Sequence, residues 1–289
     1  MNLSRLWRVL FLIIFSLTLA NSLSLAKEGE DILKLSFDAQ FQVDFEGIRK
    51  IQTYTSNRIY SFVVKVIYQK PDFIYLEYLD PPRIKGRIII DDGKKRIEYL
   101  PGIDKIKTFP SLNCPWIKDK REKALKVMLT NFNISKISEA KMLGKEVYVL
   151  SLSPKDLVNP SLKLWIDKKT HFILRREKYT PEKELISSLH YTKIDFNRHF
   201  FKEKLYDKLP GIPPILEKSP PPSYYTLQEI KVRANFPLFF PGYLPPGYIF
   251  QEGEIMVKNK AVKLAYTNGL EVIVLFQRPF AKITMEHHK

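Results

Sequence analysis

The chain has 289 residues, 45% hydrophobic and 27% charged, which fits one large folded domain or two ordinary ones and excludes a disordered polymer. Its formal charge of +16 draws it toward anionic surfaces. The single cysteine, Cys114, excludes an intramolecular disulfide, so stability must come from burial, and Cys114 itself reads as a small buried hydrophobe.

Residues 1–26 read as a secretory signal peptide. Arg5 and Arg8 precede an apolar run from Val9 to Leu19, and Ser24-Leu25-Ala26 supplies small residues for cleavage near Ala26. The run is shorter than the roughly 20 residues of a comfortable membrane span, which favours a cleaved signal over the other reading, an uncleaved N-terminal anchor. Loss of the two arginines takes the formal charge from +16 to +14. Export places the mature chain in the periplasm and makes nucleic acid an implausible partner. Its anionic partners there are phospholipid head groups, lipopolysaccharide phosphates or an acidic protein, and peripheral membrane contact stays open.

Residues 33–45 fit two patterns. Leu33, Leu35, Phe37, Ala39, Phe41, Val43 and Phe45 alternate as in a strand, while Leu33, Phe37 and Phe41 share a helical face. From about 45 to 109 the chain reads as strands joined by turns. Tyr60, Phe62, Val64, Val66 and Tyr68 form one apolar face, and Gln69-Lys70-Pro71-Asp72 turns into a strand carrying Ile74, Leu76 and Tyr78. Ile88 and Ile90 follow on one face of the next strand. Asp91-Asp92-Gly93-Lys94 predicts a hairpin, because Asp and Gly tolerate positive φ.

Residues 117–132 change period: Leu125, Met128, Leu129 and Phe132 recur at helical spacing beside a basic face, as in an amphipathic helix. Strands resume with Tyr148, Leu150 and Leu152, then Leu162, Leu164 and Ile166, then Phe172–Lys178 and Ser187–Asp195. Six of the 20 prolines fall between 210 and 222, which marks a stiff linker. Beyond it, Thr226–Asn235 predicts a short helix. Three strands follow, Phe250–Val257, Ala261–Tyr266 and Leu270–Phe276, the last two joined at Asn268-Gly269.

No motif carries catalytic chemistry. The chain lacks HExxH, paired cysteine ligands, GxSxG, a phosphate-binding loop and GxGxxG, so neither a metal nor a cofactor is expected. Asp91-Asp92 is expected to serve its turn rather than acid–base work. The wide aromatic-rich sheet has few helices to cover it, which leaves either a closed core or an apolar groove able to take an acyl chain. The groove candidates are Phe62, Val64, Val66, Ile74, Leu76, Ile88, Ile90, Tyr148 and Leu150.

Several short motifs, in this order, resemble the lipoprotein-carrier superfamily that includes LolA and RseB (MucB). They are Asp44-Phe45-Glu46-Gly47, Gln69-Lys70-Pro71-Asp72, Gly86, Asp91-Asp92-Gly93-Lys94, the stretch Gly144–Lys155, and Leu164-Trp165-Ile166-Asp167 with Thr170. Leu244-Pro245-Pro246-Gly247-Tyr248 and Tyr266–Phe276 are similar to the C-terminal domain of RseB-like proteins, which the simple carrier lacks. The resemblance implies a mainly β (α+β) fold: an unclosed antiparallel β-barrel covered by a few helices, plus a small α/β C-terminal domain. It favours helix over 29–41. The organisation it implies is a signal peptide at 1–26, a half-barrel domain at 27–208, a Pro-rich linker at 209–224 and a small domain at 225–289.

For function, the resemblance implies a non-enzymatic regulator of envelope-stress (sigma-E type) signalling, which binds an anti-sigma factor and senses acyl lipid or lipopolysaccharide. The alternative is a LolA-like carrier of lipoprotein acyl chains. A hydrolase with dispersed catalytic residues is the third reading.

Overall fold

The computed structural model describes residues 27–111, 115–197, 201–211, 213, 215–216, 224–256 and 260–279. The signal segment, Cys114, His199, His287, His288 and much of the Pro-rich stretch lie outside them. The described chain opens with helix α1, residues 27–39. Gly29, Ile32, Leu33, Ser36 and Ala39 are its buried residues, a helical spacing that overrides the alternation read from residue 33. The Ser36 hydroxyl is satisfied by the Leu33 carbonyl at 2.8 Å.

Six strands follow: β1 (Phe45–Tyr54), β2 (Ile59–Gln69), β3 (Phe73–Asp80), β4 (Ile88–Asp91), β5 (Lys95–Leu100) and β6 (Lys105–Pro110). The expected hairpin forms between β4 and β5. One Asp92 carboxylate oxygen accepts from the Lys94 and Lys95 amides, both at 2.9 Å, and Gly93 adopts a φ of 82°. Helix α2 (Pro115–Asn131) then runs without a loop into β7 (Phe132–Met142). Next come β8 (Lys145–Pro154), β9 (Ser161–Asp167), β10 (Ile173–Tyr179), β11 (Leu185–Asp195), the one-turn helix α3 (Lys202–Tyr206) and β12 (Ile215–Leu216).

These strands make one 12-stranded sheet in the order β12-β6-β5-β4-β3-β2-β1-β11-β10-β9-β8-β7. Successive hairpins explain most of this order. The long-range step is β1 against β11, which joins the two halves antiparallel. Only β12 runs parallel to its neighbour. The sheet ends at β12 and β7 and does not close into a barrel. A mainly antiparallel, unclosed sheet with few helices is the fold expected from the sequence.

One face of the sheet packs Phe45, Val64, Val66, Tyr68, Phe172, Leu174 and Tyr191 into a core. Edge-to-face pairs hold it: Phe45 with Phe172 at 4.7 Å between centroids, and Phe172 with Tyr191 at 5.4 Å. Ile67, Phe73, Tyr75, Ile88 and Ile90 form a separate cluster with Leu205 of α3.

Contacts divide the chain into two compact units: one ends at Lys118 and resumes over Phe132–Lys218, and the other holds Asp119–Asn131 and the chain from Ser219. The second unit is built on a four-stranded sheet of β13 (Tyr224–Tyr225), β14 (Ile249–Met256), β15 (Ala261–Thr267) and β16 (Val272–Gln277), paired in chain order. Helix α4 (Leu227–Arg233) starts at a capping box: Thr226 Oγ1 accepts from the Glu229 amide, and Glu229 accepts from the Thr226 amide. Its Ile230 is fully buried over Val262, Leu264 and Tyr266.

The C-terminal part of α2 belongs to this second unit. Lys120 pairs with Glu252 at 2.7 Å, and Asn131 Nδ2 donates to the Gly247 carbonyl at 2.8 Å and the Asn268 carbonyl at 3.1 Å. The Asn268-Gly269 turn joins β15 to β16 as its sequence predicts, with Asn268 Oδ1 capping the Leu270 and Glu271 amides. Gly269 has a φ of 94°, and a Cβ there would stand 2.4 Å from the Met128 backbone nitrogen. A glycine is required on both counts.

Candidate functional site: an apolar cavity with an unpaired arginine

A cavity of about 320 Å3 opens on the core face of β1–β5 and β11 in the first unit. Val66, Ile74, Leu76 and Ile89 supply its aliphatic wall, and Phe45, Tyr68 and Tyr191 its aromatic wall. Gln40 and Phe41, just past α1, close one side. Phe41 meets Tyr68 edge-on at 6.1 Å, and the Tyr68 hydroxyl donates to the Pro71 carbonyl at 2.5 Å. That bond fixes the ring and turns its polar tip away from the apolar wall.

Five charged side chains also line the cavity. Asp91, 3% exposed, accepts from the Ser111 hydroxyl at 2.6 Å and from the Gly93 amide at 3.0 Å. Glu98 takes Arg87 Nη2 at 2.8 Å, and Arg96 Nε lies 3.0 Å from its other oxygen, out of line for a hydrogen bond. Arg96 stacks on the Phe109 ring at 4.8 Å. Asp72 packs against the β4–β5 turn, where a Cβ on Gly93 would stand 2.6 Å from its own Cβ.

Arg49 differs. Its Nε is buried without a hydrogen-bond partner, and among the described residues no carboxylate pairs with it. Its contact is the buried hydroxyl of Tyr191, where burial pushes the phenol up while the guanidinium pulls it down. The backbone aims this side chain. Ile48 pairs with Lys193 but Arg49 with Tyr191, so Thr192 is an extra residue on β11, a bulge beside Arg49.

Of the sequence candidates, Val66, Ile74 and Leu76 line the cavity. Phe62 and Val64 belong to the same core without lining it. Ile88 and Ile90 are corrected: they pack with Tyr75 and Leu205 in the separate cluster. The register explains this. Ile89 pairs with Leu76, so it is Ile89 that faces the cavity. Tyr148 and Leu150 lie on β8 and do not line it either. Leu150 is wholly buried, and Tyr148 sits beneath the amines of Lys136 and Lys168 at 5.0 and 5.2 Å.

Sequence reasoning missed Ile89, Arg49, Arg96 and Tyr191. A signal existed for Arg49, since Phe45, Gly47, Arg49 and Ile51 share one face of a strand by period two. A larger cavity of about 590 Å3 lies among the turns at 144–146, 167–170 and 194–197, but its wall is mostly polar and charged. Among the described residues no cluster could hold a metal ion, and no helix is long and apolar enough to cross a membrane.

Comparison with solved structures finds MucB of Pseudomonas aeruginosa, in its complex with MucA, at 14% identity and a TM-score of 0.58, covering 88% of this chain and 81% of that one. A second structure, of MucB, aligns at 14% identity and a TM-score of 0.53, covering 86% and 79%. The fold is that of MucB. Residues 114–209, from the start of α2 past α3, also match the MucB/RseB N-terminal domain. No curated protein sequence matches the chain. The MucB-like fold extends over more residues than the first unit holds, so it includes part of the second.

Proposed function

We propose that this protein is a non-enzymatic periplasmic regulator of the RseB type, which binds the periplasmic segment of an anti-sigma factor and takes an acyl ligand in the Val66–Ile74–Leu76 cavity. The observation that carries this reading is the likeness to MucB across both units, in a structure described as the complex of MucA and MucB. The apolar wall supports the acyl half, because burying a hydrocarbon chain there removes apolar surface from water. Regulation would follow from linkage: a ligand shifts affinity for the partner only if it binds the partner-bound and free forms unequally.

The test is calorimetric titration of residues 27–289 with the periplasmic segment of an anti-sigma factor encoded in the same genome, with and without decanoate. Binding that weakens when decanoate is present supports the regulator. Decanoate binding with no affinity for any anti-sigma segment sinks it and leaves a carrier of acyl chains.

A further inference from the structure

The cavity holds one more instruction about its occupant. The Arg49 Nε, buried at an apolar wall without a hydrogen-bond partner, is a costly donor to leave unmet unless something else completes it. Two of the three lining acids hold other partners: Asp91 takes Ser111 and the Gly93 amide, and Glu98 takes Arg87 and Arg96. Arg49 is thus a lining guanidinium with no carboxylate ion pair among the described residues, whereas Arg96 lies beside Glu98.

We propose that the occupant is a single-chain amphiphile with an anionic head, a carboxylate or a phosphate, and that Arg49 seats that head while Val66, Ile74, Leu76 and Ile89 receive the chain. The proposal rests on the acyl-binding reading above and adds the chemistry of the head and the residue that holds it. A guanidinium presents a planar fork of N–H donors that matches two oxygens of either head. The bulge at Thr192 sets the fork's direction, and the Tyr191 hydroxyl occupies its flank. An uncharged ester of the same chain would fill the same wall and leave the fork unpaired.

The experiment measures binding of decanoate, decyl phosphate and methyl decanoate to residues 27–289, in the wild type, Arg49→Met and Arg49→Lys. The two anions are expected to bind the wild type about tenfold or more tighter than the ester, the size of a charge-assisted hydrogen bond. Arg49→Met should abolish that preference and keep the affinity for methyl decanoate, while Arg49→Lys keeps part of it. Preference for both anions supports a shared anion seat. Preference for decyl phosphate alone supports the seat and names lipid phosphate as its source, and preference for decanoate alone names a fatty acid. Equal binding of acid and ester, or a preference that survives Arg49→Met, overturns the anchor and leaves acyl binding standing. Failure of all three probes to bind overturns the acyl-binding reading and the anchor with it. The melting temperature of Arg49→Met without ligand guards the interpretation. It should stay close to that of the wild type, so that a lost preference reads as a lost anion seat and not as a lost fold.

Discussion

Gly47 and Tyr191 compete for one volume. A Cβ at Gly47 would stand 2.7 Å from the Tyr191 ring and 3.0 Å from the Lys193 carbonyl. The ring cannot step aside easily, because it is 4% exposed and wedged against Phe45 and Phe172. Gly47→Ala should therefore destabilise the protein by about 1–3 kcal/mol in chemical denaturation. It should also weaken ligand binding, since Tyr191 walls the cavity. An unchanged denaturation midpoint would show that β1 and β11 have more slack than their packing implies. Tyr206 sets a different limit. Burial, and then the Asp92 carboxylate that its hydroxyl meets at 3.2 Å, push it up to about 12. Its folded value lies above the ordinary 10.0, so its stabilising contribution is full below pH 10 and is lost as pH rises toward 12. Tyr206→Phe should flatten the alkaline loss of stability over that window, read from denaturation midpoints across a pH series.

At the scale of the element, caps and turns decide more than propensity. Thr226→Ala removes the hydroxyl that satisfies the Glu229 amide, and should cost the second unit about 0.5–2 kcal/mol. Gly269→Ala should cost more, because both the positive φ and the Met128 backbone forbid a side chain there. Thermal denaturation of the two variants ranks these costs, and the reverse order would refute the docking of that turn on α2. Element type was largely legible in the sequence. Period-two runs foretold β2 and β3, the DDG and NG turns fell where they were read, and the helical spacing read over 117–132 is α2 as far as Asn131, while Phe132 opens β7, a strand the sequence reading did not anticipate. Phase was legible only where polar residues alternate. Ile88-Ile89-Ile90 offers three apolar residues in a row, so sequence alone cannot say which of them faces which side. The register with β3 decides it. Arg49 was passed over for a related reason: a search for apolar alternation skips the one charge that sits on the apolar face.

Across the whole molecule, composition and alternation pointed to a mainly β chain, and the resemblance in motif order implied the unclosed antiparallel sheet that the structure has. The allegiance of α2 was not legible. An amphipathic pattern says that a helix has a buried face and is silent about what covers it. Asp119–Asn131 sits with the second unit, where Lys120, Lys123 and Asn131 bond to Glu252, Phe250, Gln251, Gly247 and Asn268. A chain truncated after residue 218 should therefore leave Asp119–Asn131, a piece of the second unit, without its partners. Circular dichroism should show less helix than residues 27–218 carry in the whole protein, and an apolar dye should bind where α2 has lost its cover. Full α2 helicity and no dye binding would mean that the helix stands on its own.

Helix α2 also carries a timetable. It precedes β14, β15 and β16 in the chain, yet its C-terminal half acquires its partners only from them. A chain that emerges N-terminus first cannot finish its early part before its last residues arrive. Between those moments the amphipathic stretch from Asp119 to Asn131 is made but unclaimed, the interval in which a chaperone would have most to hold.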